Sequence, residues 1–244
     1  MAKDGVTKRK RGRPPGSAKG AEGLASREMI VDLACEAARA QSIDEISFVN
    51  LAKELGVRPG ALHYHIGTKD DLASAILNRF YKELLARLDA DPEFDDWREQ
   101  IGRFARTLMS CERDHRGAAE HIQTHAKFRI FQKIQDGETD YGAIYLNRAF
   151  SMFRDAGFDA QTTAIFYHML ALHCLSTATS ATSRLEPSAH EAFLSGRADA
   201  YPPGDMPGLD FALRAFARIR SDEVFERGVN ALIDHFAPLR KSEA

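Results

Sequence analysis

The chain has 244 residues, of which 44% are hydrophobic and 28% charged, with a formal net charge of −2. That length exceeds a single domain of about 100–200 residues, and the ordinary apolar fraction excludes global disorder. The three cysteines, Cys35, Cys111 and Cys174, are odd in number and far apart, which excludes a zinc ribbon or a disulfide framework.

Charge is unevenly spread. Residues 1–20 hold seven Lys/Arg (Lys3, Lys8, Arg9, Lys10, Arg11, Arg13, Lys19) against Asp4, a net +6 that leaves −8 for the remainder. Residues 1–24 therefore read as a disordered basic arm facing a polyanion. Within the arm, Arg11-Gly12-Arg13-Pro14 resembles an AT-hook, in which extended arginines enter a narrow A·T minor groove. The alternative is a solvated charge run that raises affinity without selecting sequence. The first residues lack an apolar run, so no signal peptide is expected. The thiols read as reduced and buried, with redox sensing as the alternative.

Strand patterns are nearly absent and helical periodicity pervades the chain, predicting an all-α protein. Ser26 caps a first helix over 27–41, with Ile30, Leu33, Ala34, Ala37 and Ala38 as its apolar stripe. Ser47 caps a second, ending near Leu55, whose Phe48, Leu51, Ala52 and Leu55 share one face. Gly56 suits a left-handed C-terminal residue. Pro59 suits the first turn of a short third helix over 58–66, which Gly67 ends. Thr68-x-x-Asp71 forms a capping box for a long fourth helix to about 88. Residues 89–96 mark a boundary. Beyond it helices are predicted over 97–113, 117–125, 128–135, 141–156, 160–184, 210–220 and 222–236. Residues 187–208, with four prolines and three glycines, read as a loop or broken segment. The apolar stretch 162–181 is interrupted by His168, His173 and hydroxyls, so it reads as a buried helix rather than a membrane span.

Residues 48–72 assemble a helix-turn-helix. An advance of about 100° per residue puts Leu62 and Ile66 inward and Tyr64 opposite them. Gly60 and Ala61 flank Tyr64 on one side and His63 on the other. Small residues at 60 and 61 admit close approach to bases, and Tyr64 and His63 offer donors to phosphates or base edges. Lys69, at a helix N-terminus, suits a phosphate.

In these residues the chain resembles the tetracycline-repressor (TetR) family. It matches the family pattern at Leu51, Ala52, Leu55, Gly56, Val57, Gly60, Leu62, His65, Lys69 and Leu72. It departs at Arg58, where Ser or Thr is common, at His63, where Tyr is usual, and at Ile66, where Phe is usual. Tyr64 moves the aromatic hydroxyl one place along. Residues 224–236 resemble the family's closing helix. The resemblance implies a helix-turn-helix domain over 25–88 and an effector-binding and dimerisation domain over 95–244. It also implies a cytoplasmic homodimer on palindromic double-stranded DNA. The implied DNA contacts are Ser47, Arg58, Pro59, Gly60, Ala61, His63, Tyr64, His65 and Lys69, joined by Arg11 and Arg13.

The resemblance further implies a cavity for a small-molecule effector. Its candidate lining is Phe104, His121, His125, Phe128, Tyr145, Phe166, Met169 and His173. Most of these also fit a plain core. His121 and His125, one turn apart, would suit a metal, but no third ligand is evident, and neither metal nor cofactor is expected. No G-x-S-x-G, G-x-G-x-x-G, P-loop or H-E-x-x-H occurs, so no enzyme is expected. Residues 160–184 and 222–236 are the expected four-helix dimer interface, through Ile165, Met169, Leu172, Val224, Val229, Leu232 and Phe236. The function expected is a repressor released when its effector tilts the fourth helix. The alternative is an architectural A·T-rich DNA binder without effector.

Overall fold

The computed structural model describes residues 26–90, 94–124, 133–183 and 186–241. All regular structure in them is helical: α1 Arg27–Ala40, α2 Phe48–Glu54, α3 Pro59–Ile66, α4 Lys69–Ala90, α5 Trp97–Asp114, α6 Arg116–Thr124, α7 Tyr141–Asp155, α8 Ala160–Thr182, α9 Glu191–Ala198, α10 Pro207–Phe216 and α11 Ser221–Phe236, plus short 3-10 turns. The caps explain where helices begin. The Met29 N–H donates to Ser26 Oγ, and the Val49 N–H to Ser47 Oγ, both at 3.2 Å. Asp96, Asp140 and Asp159 serve α5, α7 and α8 in the same way. Each satisfies an N–H that the helix leaves unpaired.

The capping box at α4 is complete. The Thr68 N–H donates to Asp71 Oδ2 at 2.8 Å, and the Asp71 N–H donates back to Thr68 Oγ1 at 3.2 Å. Hydrogen bonds from Lys133, then from Thr68, hold the Asp71 carboxyl down to about 2. After α2 the chain closes a paired C-terminal motif: the Gly56 N–H donates to Lys53 O and the Val57 N–H to Ala52 O, with Gly56 at φ +68.

The α1–α3 trio sits against α4, whose 22 residues span about 33 Å and run on into the body. There α7 lies along α4, and α8 lies between α5 and α11. One apolar cluster continues from Ile30 in α1 to Phe236 in α11. A charged knot ties the trio to the body. Arg39 of α1 and Arg87 of α4 both reach Glu83, at 3.0 and 2.6 Å, while Arg87 also reaches Asp114 at 2.7 Å. His115 Nε2 lies 2.9 Å from Glu83. Burial pushes Glu83 up, but hydrogen bonds from Arg87 and His115 outweigh it and hold the carboxyl down to about 2.

Some expectations need correcting. Of the helix predicted over 128–135, only 133–135 are described, and they are not helical. Of the two alternatives for segment 187–208, a loop or a broken segment, the second holds, because it contains a 3-10 turn and α9. Helix α10 begins at Pro207 and ends at Phe216, rather than running over 210–220. Proline suits the first helical position, and Gly208 follows it without breaking the turn. Val229 and Phe236 are buried inside the protomer and therefore cannot lie on an outer surface, unlike Ile165, Met169, Leu172 and Val224, which are exposed. Leu232 is half-buried against the same core.

Candidate functional site

Helix α3 separates its side chains cleanly. Leu62 and Ile66 are buried, whereas Tyr64 is 86% exposed. Pro59, Gly60 and His63 are exposed beside it, with Ala61 and His65 half-buried. Gly60 has an informative environment. A Cβ there would meet nothing within 4 Å and its φ is not positive, so nothing inside the protomer calls for glycine. The missing side chain matters only to something approaching from outside. Gly67 is the reverse case: its φ is +97, and a Cβ would stand 2.6 Å from Asp71 Oδ2, so the turn and the capping box both require it.

The polar groups around Tyr64 are partly committed. His63 Nδ1 donates to Gly67 O at 3.1 Å, which leaves Nε2 for an outside partner. Its ring also rests 4.8 Å from Phe48. Ser47 is half-buried and its hydroxyl is the α2 cap. Arg58 is exposed and stands at the α3 N-cap. Lys69 is exposed, but its ammonium donates to the Asp44 carbonyl, so a phosphate would have to compete for it. Arg11 and Arg13 lie outside the described residues.

The expected lining residues do not share one cavity. Phe104 and Tyr145 stand together, rings stacked at 6.0 Å and 10°. Tyr145 also stacks against Tyr81 at 5.2 Å, and the Tyr167 hydroxyl donates to the Tyr145 hydroxyl at 3.3 Å. Phe166 lies elsewhere, stacked on Phe236 at 4.4 Å and against Phe153 at 4.9 Å, as core between α7, α8 and α11. His173 links α8 to α11: its Nε2 donates to Phe225 O at 3.0 Å, its ring lies parallel to Phe225, and a Cβ on Gly228 would strike it at 2.3 Å. Met169 is 41% exposed on the outer face of α8, one turn from Ile165, so it cannot line an interior. His121 is buried on α6 with Nδ1 3.9 Å from Asp44, at the junction with the α1–α2 connection. His125 and Phe128 lie outside the described residues. Among the described residues no group of three or more His, Cys, Asp or Glu is placed to hold a metal.

Sequence reasoning missed the residue that most changes the interior. Glu112 of α5 is 5% exposed, and burial alone raises its carboxyl well above the usual range. Its neighbours are the phenols of Tyr81, Tyr145 and Tyr167 and the thiol of Cys174, each of which feels its charge. Its signal was legible: it sits eleven residues after Ile101, on the same stripe as Ala105 and Leu108. The thiols are ordinary core groups. Burial pushes Cys35 and Cys111 up to about 12 and raises Cys174 well above its ordinary value, which makes them poor nucleophiles. No helix among the described residues is long and apolar enough to cross a membrane.

No family model matches the chain. An HTH-type transcriptional repressor of Mycobacterium tuberculosis is 26% identical over 216 residues, covering 85% of this chain and 78% of that protein. An HTH-type transcriptional regulator of Saccharopolyspora erythraea is 28% identical over 101 residues, 41% of this chain and 42% of its own length. The TetR family protein ActR of Streptomyces coelicolor, solved with actinorhodin, superposes with a TM-score of 0.72 at 22% identity, covering 89% of this chain and 99% of ActR. TetR from Acinetobacter baumannii superposes with a TM-score of 0.59 at 17% identity, covering 89% of this chain and 100% of its own. From its helix-turn-helix to its closing helix, the chain has the all-helical TetR fold.

Proposed function

We propose that this protein is a ligand-responsive, sequence-specific DNA-binding regulator, a repressor in its default mode. One observation carries the reading. A surface tyrosine stands on a short helix anchored by Leu62 and Ile66, beside a glycine that no internal contact requires. Residues 25–88 form the DNA-reading unit. Pro59, Gly60, Ala61, His63, Tyr64 and His65 enter the major groove, with Arg58, Ser47 and Lys69 toward the backbone and Arg11 and Arg13 in the adjoining minor groove. Residues 95–244 form the effector and dimer unit. The relatives named as regulators and the TetR fold support this reading, and nothing in the site supports an enzyme.

The test is binding to a selected operator. Tyr64→Ala is expected to keep the fold and lose about 1–3 kcal/mol of discrimination between operator and scrambled DNA. Gly60→Ala is expected to move stability and binding in opposite directions. A helical glycine replaced by alanine gains up to about 1 kcal/mol, while the new methyl obstructs the groove. Unchanged operator affinity in both variants rejects the assigned face.

The active form is a two-fold homodimer acting on a palindrome, with recognition helices about 34–36 Å apart. Ile165, Met169 and Leu172 form an outward apolar stripe on α8, and Val224 continues it on α11. The α9–α10 hairpin inserted between these two helices is apolar on the outside too, with Phe211 89% exposed and Phe193 also exposed. Large apolar side chains exposed in this number suit an interface. Leu172→Glu leaves the protomer folded, because that side chain is 52% exposed. In sedimentation it is expected to shift the protein to monomer and weaken operator binding. A dimer that persists unchanged excludes this face.

A further inference from the structure

Glu112 is a buried acid that the protomer leaves unanswered. Its Oε2 has no hydrogen-bond partner, and burial is the sole cause of its shift, so no charged group among the described residues acts on it. A carboxyl held this way is costly, and a packed core has no use for it. The groups that feel its charge are themselves uncharged: Tyr81 from α4, Cys111 from α5, Tyr145 from α7, and Tyr167 and Cys174 from α8, and no charged side chain of α6 or α11 among the described residues acts on its carboxylate. The nearby walls are aromatic, since Phe104, Tyr145 and Tyr81 form a continuous stack. A groove of about 470 Å³ between α5 and α7 is lined by Phe104, Asn147 and Met152 together with Arg103, Arg148 and Asp155, and Phe104 belongs both to this groove and to the aromatic stack.

We propose that Glu112 is the recognition group of an internal effector site for an organic ammonium carried on an apolar, aromatic body. This rests on the reading of the protein as ligand-responsive and adds the ligand's chemical class. An ammonium supplies what the site lacks, a donor and a positive charge for the carboxylate, and aromatic faces stabilise the same charge. A purely apolar molecule leaves Oε2 unsatisfied, and an anion adds a like charge to a dry site. Binding has a proton signature. The empty site holds Glu112 neutral, the cation requires the carboxylate, and one proton leaves to solvent for each cation bound.

The experiment is calorimetry on the full-length protein with three probes sharing one body: phenylbutylamine, phenylbutanol and phenylbutyrate. The amine is expected to bind more tightly than the alcohol by about tenfold or more, and the butyrate not measurably. Titrations in buffers of different ionisation enthalpy are expected to show about one proton released per amine, with affinity rising from about pH 6 to about pH 8. The proton count is read on the unaltered protein and needs no variant. Glu112→Gln matches the neutral empty state in shape; it is expected to abolish the amine's advantage and the proton release while sparing the alcohol. Equal binding of amine and alcohol, no proton release, or no binding of the amine overturns the proposal. Operator binding is measured on the same preparation before any probe is added. Intact operator binding with a failed amine rejects the Glu112 assignment alone, whereas absence of operator binding by the ligand-free protein rejects the regulatory reading beneath it.

Discussion

Gly117→Val is expected to lower operator affinity about 5–150-fold and to destabilise the protein by about 1–3 kcal/mol. Gly117 opens α6, where it meets the end of α1. A Cβ there would stand 2.3 Å from the Gln41 carbonyl oxygen and 2.7 Å from that of Ala38. Both are backbone atoms, so no rotamer relieves the clash and one helix must shift. Helix α1 belongs to the trio that orients α3, so displacement at Gly117 re-aims the recognition helix without touching it. The same contact would give the proposed effector a route. Helix α6 lies against α8 as well as α1, so a ligand that moved the interior would move the seat of α1. Thermal unfolding and operator titration check the expectation together. Wild-type operator affinity in a destabilised Gly117→Val would show that the α1–α6 contact does not set the orientation of α3.

Glu112→Gln is expected to stabilise the empty protein at neutral pH and to flatten its pH profile. The folded pKa of Glu112 lies well above its ordinary value of 4.5. Below that value both folded and unfolded chains hold the proton, and the acid is neutral to stability. Above it the unfolded chain releases a proton that the folded chain keeps. Stability then falls by roughly 1.4 kcal/mol per pH unit until the folded pKa is passed. Asp71 and Glu83 act on the other flank. Both are held down to about 2, so their contribution is complete above their ordinary values and is lost as pH falls toward 2. Unfolding curves from acid to neutral pH are therefore expected to show a maximum near the ordinary carboxylate pKa in the wild type and a plateau to neutrality in Glu112→Gln. Parallel curves for the two would show that Glu112 is not buried as a neutral acid.

The DNA-facing half was legible because its rules are local. Capping at Ser26, Ser47 and Thr68, the left-handed Gly56 and the inward pair Leu62 and Ile66 each depend on residues within a turn or two, and sequence spacing fixes them. The body was legible as helices but not as a site. Tyr145 and Phe166 have similar sequence signals, yet one joins a polar cluster and the other an aromatic core, because packing against α4 or α11 decides the matter. Met169 was expected both in the effector lining and at the dimer interface, and it is exposed. Helix α8 is apolar on both faces, so periodicity alone could not say which face met its own protomer. Glu112 lay on a visible apolar stripe, and its meaning came only with the three tyrosines brought to it from α4, α7 and α8.

If α3 reads bases through the Tyr64 face, footprinting of the purified protein across genomic DNA shows protection of discrete inverted repeats whose half-sites lie about one helical turn apart, and that protection is lost in Tyr64→Ala. Diffuse A·T-rich protection, unchanged by the substitution, would mean that α3 does not read bases.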